Sequence, residues 1–428
     1  MKIAMFTNTY LPHVGGVARS VKTLEDACRA HGHEVRVIAP EFDGQEESPD
    51  VLRVPAIQHF NGSDFSVQLP VPNVIRDYIQ DFGPDLIHSH HPFLLGDAAL
   101  REARKMQIPI VFTHHTLYER YTHYVPLDSP ALKRVAIQLA TEYCNLCDEV
   151  IAPSGSIARL LRERGVTSPI LVVPTGIDIR FFAAGNGRQF RKTHGIPQDA
   201  KVIGHIGRLA KEKNLVFLAE SIANCLKQDP KAVFLLGGDG DDRDEILATL
   251  RHGAGRHQIH AVGKLTGQNL ADAYAAMDCF VFASQTETQG LVLAEAMAAG
   301  KPVVALDGPG VREIVSDGEN GLLLAGDASS ASFSDSLSRI LHDAELLRFC
   351  SEHARHTADN YSTERSVRRV LHSYEQLVEG YGHLGEVDLT RWDRLLSGIG
   401  VEWDLLVEKM SAASAAVMRT PATKVHFD

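Results

Sequence analysis

The sequence predicts an α/β protein built from two doubly wound, parallel-sheet domains in tandem, with a helical extension at the C-terminal end. Three observations predict it. Short β-branched runs alternate with amphipathic stretches of helical period, which is the signature of βαβ units and of a parallel sheet covered on both faces. The alternation stops at a polar stretch near the middle of the chain and then starts again. A length of 428 residues exceeds one ordinary domain and suits two, each able to bury its own core.

Taken in order, residues 2–7 read as a first strand, 17–31 as a helix and 34–39 as a strand. Further apolar runs at 85–89, 108–113, 149–152 and 170–173 are each bounded by Pro, Gly or Asp, and helical patterns at 97–105, 130–147 and 156–164 lie between them. Residues 184–200 are polar and rich in turn formers, as a linker would be. The second series has strands at 201–206, 232–236, 259–262, 279–283, 302–305 and 321–324, with helices at 214–228 and 242–252. The expected domains are 1–180 and 198–360. A helix near 363–380 is expected to pack back on the first domain, with a helical tail over 381–428. In doubly wound sheets ligands sit at the carboxyl ends of the strands, so the site is expected in a cleft between the domains.

Composition narrows the function. Apolar residues at 44% and charged residues at 23% belong to a soluble globular chain, and no apolar run reaches the roughly 18 residues of a membrane span. The first residues turn polar too soon for a signal peptide. A net charge of -11, from 43 basic and 54 acidic side chains, argues against general nucleic-acid binding. Six cysteines and no export signal point to the cytosol and to no disulfide framework.

The strongest chemical signal lies between Glu287 and Pro302. Glu287 falls in the loop after a buried strand, and Glu295 falls one to two turns into the next helix. Gly290 leaves the first amides of that helix uncovered, so the Leu291 and Val292 N–H groups can approach a phosphate. Two carboxylates flanking an anion hole suit a diphosphate with hydroxyls on either side, which describes a nucleotide sugar. In the first domain, Gly15 and Gly16 between the first strand and helix permit positive φ and close backbone approach, although G-x-G-x-x-G is absent. The 21 histidines cluster at His88, His90 and His91 and at His114 and His115. A metal site is one reading; strand-end histidines lining a polar cleft are the better one, because no carboxylate or cysteine spacing completes a zinc set. Cys144 and Cys147 read as helix packing, and Gly238–Asp242 as a helix cap at the cleft edge.

Taken together, the Glu287 to Pro302 stretch, Glu313 to Gly321, Gly207 to Asn214, Val172 to Asp178 and Ile151 to Ser154 resemble the family 4 glycosyltransferases over residues 1–380. These are retaining enzymes of the two-domain GT-B fold. The resemblance implies that Arg208 and Lys213 neutralise the leaving diphosphate, that Glu287 holds sugar hydroxyls and Glu295 the ribose, and that Gly15 and Gly16 form the family's glycine-rich loop. His115, just before Thr116, resembles the family's strand-end histidine, which implies a hydrogen bond from it to the donor sugar or the phosphate. No metal or other cofactor is expected, and the donor is expected to be a nucleotide sugar, UDP-glucose first.

The acceptor has to be read from the first domain. Residues 113–124 read THHTLYERYTHY, with Tyr118, Tyr121 and Tyr124 spaced three apart and Arg120 among them. From Arg101 to Arg134 there are six basic residues against three acidic, in a chain that is acidic overall. Aromatic and basic side chains together suit contact with anionic lipid; the alternative is a helix with its aromatics packed inward. This segment, with Gln289 where the family often has an aromatic, resembles the branch that glucosylates diacylglycerol. The expected acceptor is therefore a lipid hydroxyl, met by a cytoplasmic enzyme at the inner face of a membrane. A soluble sugar, sugar phosphate or glycan acceptor is the alternative, and a non-catalytic nucleotide-sugar-binding protein is the rival from another class. In the tail, Trp392 and Trp403 are read as an interfacial anchor, as docking back onto the protein, or as a subunit contact.

Overall fold

The computed structural model describes residues 1–13, 15–57, 67–68, 72–120, 130–381 and 392–393. The first domain contains β1 (Lys2–Phe6), α1 (Gly16–Ala30), β2 (Glu34–Pro40), β3 (Val51–Val54), a small antiparallel pair of β4 (Ala56–Ile57) and β5 (Val67–Gln68), and α2 (Pro72–Phe82). It continues with β6 (Leu86–Ser89), α3 (Leu95–Met106), β7 (Ile110–Thr113), α4 (Pro130–Leu146), β8 (Glu149–Ala152), α5 (Gly155–Glu163) and β9 (Ile170–Val172). The sheet order is β3-β2-β1-β6-β7-β8-β9, with every pairing parallel. The predicted strands are present within one or two residues, because unbroken Val/Ile/Leu runs can be buried on both faces only in such a sheet.

In the second domain, α6 (Ile179–Ala183) and α7 (Gly187–Thr193) precede β10 (Lys201–Ile206), α8 (Leu215–Gln228), β11 (Ala232–Gly237), α9 (Arg243–Gly253), β12 (Ile259–Gly263), α10 (Gly267–Ala276), β13 (Cys279–Phe282), α11 (Leu291–Ala298), β14 (Val303–Leu306), β15 (Gly321–Leu324), α12 (Ser330–His342) and α13 (Ala344–Ala358). Its sheet order is β12-β11-β10-β13-β14-β15, again parallel throughout. The polar stretch 184–200 is more than a linker. Its helix α7 buries Phe190 in the second core and packs on α10, where Gly185 and Gly187 allow close backbone contact. In both domains apolar clusters cover the two faces of the sheet.

The chain crosses between the domains twice. The outgoing strand at Ile177 pairs with the returning strand at Ser362: Ile177 N–H donates to the Tyr361 carbonyl at 2.8 Å, and Thr363 N–H to the Ile177 carbonyl at 3.0 Å. Gly176 makes this possible, since a Cβ there would stand 2.3 Å from Thr363 Cα. After the return, α14 (Thr363–Gly380) lies on α1 and adds Val367, Val370, Leu371 and Tyr374 to the core of the first domain. Trp392 is buried in the other half of that core, against Tyr143, with its indole N–H donating to Asp97 at 2.8 Å. Of the readings of the tail, docking back holds for Trp392; Trp403 lies outside the described residues.

Candidate functional site

Both sheets have a switch point, between β1 and β6 in the first domain and between β10 and β13 in the second, where the chain turns from one half of the sheet to the other. The residues singled out in the sequence follow these strands: Gly15 and Gly16 after β1, His90 and His91 after β6, Arg208 and Lys213 after β10, Glu287 and Gly290 after β13. The fold therefore gathers them at the carboxyl ends of the two sheets.

In the second domain Lys213 Nζ donates to Glu287 Oε1 at 2.5 Å. Burial pushes the Glu287 carboxyl up, but Lys213, helped by Ser284 and Arg208, outweighs it and holds the group below its usual value. Arg208 pairs with Glu212 one helical turn away. Each cation expected to meet a diphosphate is thus held on a carboxylate. The loop carrying them is braced through the main chain by the 238–242 loop, with Leu209 N–H donating to the Asp239 carbonyl at 2.9 Å and Asp242 N–H to the Leu209 carbonyl at 3.1 Å. Asp242 stands at the N-cap of α9, but its side chain makes no capping bond. Gly290 begins α11 in the left-handed region, φ 76°, and no side chain caps the helix there, so Leu291 and Val292 supply its first amides. Gly15, by contrast, is extended at φ -133° and Gly16 is already helical, so neither uses positive φ. Gly16 faces open space, as no described atom beyond its chain neighbours and its own helix backbone lies within 4 Å of where its Cβ would be.

Several contacts across the cleft were not apparent from the sequence. Arg19, on the first turn after Gly16, donates to Glu295 Oε1 at 2.8 Å, and within the second domain Tyr274 Oη donates to Glu295 Oε2 at 2.8 Å. Glu295 raises the affinity of Arg19 for its proton, and burial with this carboxylate pushes the Tyr274 hydroxyl well up. The loop before α11 is tied to the first domain at three points. Ser154 Oγ donates to the Thr288 carbonyl at 2.7 Å, and Thr288 Oγ1 donates to the His115 carbonyl at 2.9 Å. The Gln289 amide takes the Thr175 N–H at 2.7 Å and returns a bond to the Thr175 carbonyl at 2.9 Å. Glu313 accepts from Ser156 N–H at 2.7 Å, which places a carboxylate of one domain at the start of a helix of the other.

The histidines form a buried polar group. His88 bridges Thr113 Oγ1, at 2.7 Å, and the Tyr374 hydroxyl; His90 Nδ1 lies 2.9 Å from His115 Nε2. Burial holds His88 and His91 down to about 3, and His90 and His115 well below their usual value, so these rings are neutral. No set of three or more His, Cys, Asp and Glu among the described residues is arranged to hold a metal. Cys144 and Cys147 are buried thiols. Tyr118, expected on an acceptor face, turns inward instead: its ring packs edge-on to Phe93 and His114, and its hydroxyl is buried. The reason is geometric, since it sits in a single 3-10 turn (Tyr118–Arg120) directly above this cluster rather than on a helix. The side chain of Arg120, and all of Tyr121 and Tyr124, lie outside the described residues.

Two doubly wound domains meeting across a cleft with this pattern of acids, cations and helix amides define a glycosyltransferase of the GT-B class. Solved structures agree on the fold: HepE of Anabaena, in complex with UDP-glucose, superposes with a TM-score of 0.71 over 88% of this chain and 100% of its own, at 19% identity. Residues 14–181 match the profile of Glycosyltransferase Family 4, and residues 186–357 that of Glycosyl transferases group 1. The alpha-monoglucosyldiacylglycerol synthase of Acholeplasma laidlawii is 29% identical over 89% of this chain and 98% of its own length. A GDP-mannose-dependent alpha-mannosyltransferase of Mycolicibacterium smegmatis is 31% identical over 76% of this chain and 84% of its own. The chain belongs to the family 4 glycosyltransferases.

Proposed function

We propose that this glycosyltransferase moves glucose from UDP-glucose to the hydroxyl of diacylglycerol, with retention of configuration and without a metal. The observation that carries the reading is the match to the diacylglycerol glucosyltransferase of Acholeplasma laidlawii along nearly its whole length. The exposed Lys133, Arg134 and Val135 near the start of α4 add a basic, partly apolar surface suited to an anionic membrane. No described helix is long and apolar enough to cross a membrane, so contact would be peripheral.

In this reading the arriving diphosphate draws Arg208 and Lys213 from their carboxylates, and the Leu291 and Val292 amides complete its cradle. Glu287, left ionised, accepts from sugar hydroxyls, while Glu295 exchanges Arg19 for the ribose. The bond from C1 to the phosphate oxygen then breaks as the acceptor oxygen bonds C1 on the same face. The acceptor proton passes to the departing phosphate oxygen, so no protein nucleophile is needed. The three ties on the 288–289 loop hold the cleft shut and keep water from C1.

Incubation with UDP-glucose and mixed micelles of diacylglycerol and anionic lipid tests it. An α-glucosyl diacylglycerol, identified by mass spectrometry and by its anomeric proton, is the expected product. Release of UDP with no lipid product would retire the lipid acceptor in favour of a soluble one. Turnover of GDP-mannose instead of UDP-glucose would move the enzyme to the mannosyltransferase branch, which the Mycolicibacterium relative favours.

A further inference from the structure

We propose that His90 sets the tautomer of His115, so that His115 faces the cleft as a hydrogen-bond donor through Nδ1–H. The proposal rests on the reading that His115 meets the donor substrate. His90 Nδ1 and His115 Nε2 are 2.9 Å apart, with ring centroids at 5.2 Å and planes inclined by 24°. One proton lies between the two nitrogens, and each neutral imidazole carries one proton in all.

Two assignments satisfy that geometry. In the first, His115 Nε2–H donates to a bare His90 Nδ1, and His90 then carries its own proton on Nε2. In the second, His90 Nδ1–H donates to a bare His115 Nε2, and the His115 proton resides on Nδ1. His90 Nε2 decides between them, because it is buried and has no hydrogen-bond partner. A buried N–H donor without an acceptor is rare and costly, whereas an unused lone pair is tolerated more readily. The second assignment therefore holds.

The surroundings keep the His90 ring in this pose. Its backbone N–H donates to the Phe6 carbonyl at 2.9 Å, and its ring lies 4.0 Å from that of His88. His88 is in turn held on both nitrogens, by Thr113 and by Tyr374 from α14. His115 is half-buried, and its carbonyl is fixed to the donor-side loop through Thr288. Its contact with His90 is made through Nε2, which leaves Nδ1 on the other edge of the ring. The group presented there is a proton aimed at a substrate oxygen and cannot act as a base. His90 is a positioning residue that acts through His115.

The test reads the tautomer directly. The full-length enzyme labelled with 15N in its histidine rings gives two-bond proton–nitrogen correlations, and the His115 signals are those lost in His115→Gln. The wild-type spectrum, taken without substrate, should show a protonated Nδ1 and a bare Nε2 at His115. His90→Phe should release that preference and lower kcat about tenfold with KM little changed, the effect of one misdirected hydrogen bond. His90→Asn, whose amide N–H can stand where Nδ1–H stood, should restore both. A protonated Nε2 at His115 in the wild type overturns the proposal, and this outcome needs no variant to fold. An unchanged His115 tautomer in folded His90→Phe overturns it as well. Unchanged turnover in His115→Gln, with the tautomer as stated, would retire the role of His115 in transfer and leave the tautomer assignment standing.

Discussion

At the scale of single residues, the site stores its charges in pairs. Arg208 rests on Glu212 and Lys213 on Glu287, so a diphosphate bound as proposed would exchange partners with both. Their contribution should therefore appear in the transition state, where the leaving group gains charge. Arg208→Ala or Lys213→Ala is expected to raise the barrier by about 2–4 kcal/mol, lowering kcat about thirtyfold to a thousandfold, with a smaller change in KM. Steady-state rates checked against UDP affinity measure this, and turnover equal to wild type would remove the charge role. The sequence points to Arg208 and Lys213 through the resemblance of Gly207 to Asn214 to a family element, rather than through their spacing. Their partners were less legible. Arg19 and Glu295 are 276 positions apart, and nothing local to either residue marks the other. The only hint was that Arg19 follows the Gly15-Gly16 loop by one helical turn.

At the scale of elements, the loop before α11 is constrained from the other domain. The Gln289 amide, almost fully buried, makes a two-bond pairing with the main chain of Thr175, beside the crossover between domains. Gln289→Leu removes both bonds at similar volume and should cost the closed form about 2 kcal/mol. The expected phenotype is a higher ratio of donor hydrolysis to transfer, read as UDP released per product formed; an unchanged ratio would show that the loop closes without this residue. Trp392 makes a comparable point about the tail. Trp392→Ala empties a site between Tyr143 and Asp97 and should destabilise the first domain by about 3–5 kcal/mol, seen as a lowered Tm. An unaltered Tm would mean that the tail contributes nothing to that core. The strands other than β3, β4 and β5 were legible because a run buried on both faces has no polar option; β3 is only partly buried. The helices α2, α6, α7, α10, α12 and α13 were not, and α7 shows why: a single apolar residue, Phe190, secures it against another element, which leaves no period to read.

At the scale of the whole molecule, stability should depend on acid through the buried histidines. Burial holds His88 and His91 to about 3, and His114 and His205 to about 4, whereas in the unfolded chain each ionises near pH 6.5. As pH falls below about 6.5 the unfolded chain takes up protons that the native rings refuse. Stability from this source is thus complete above that pH and is lost towards pH 3–4, at up to about 1.4 kcal/mol per pH unit for each ring. Tm measured from pH 7.5 to 5 should fall steadily over the acid half, and a flat profile would contradict neutral burial. The route of the chain has a further consequence. The second domain is one unbroken stretch, but the first is finished only by α14 and Trp392, which come after the second has been made. On a ribosome adding about 5–20 residues each second, the first domain must wait on the order of 10–40 s for its last pieces. The domain synthesised second can therefore be the first to fold, and during that interval the nascent chain carries an open apolar strip along α1 that chaperones have reason to cover.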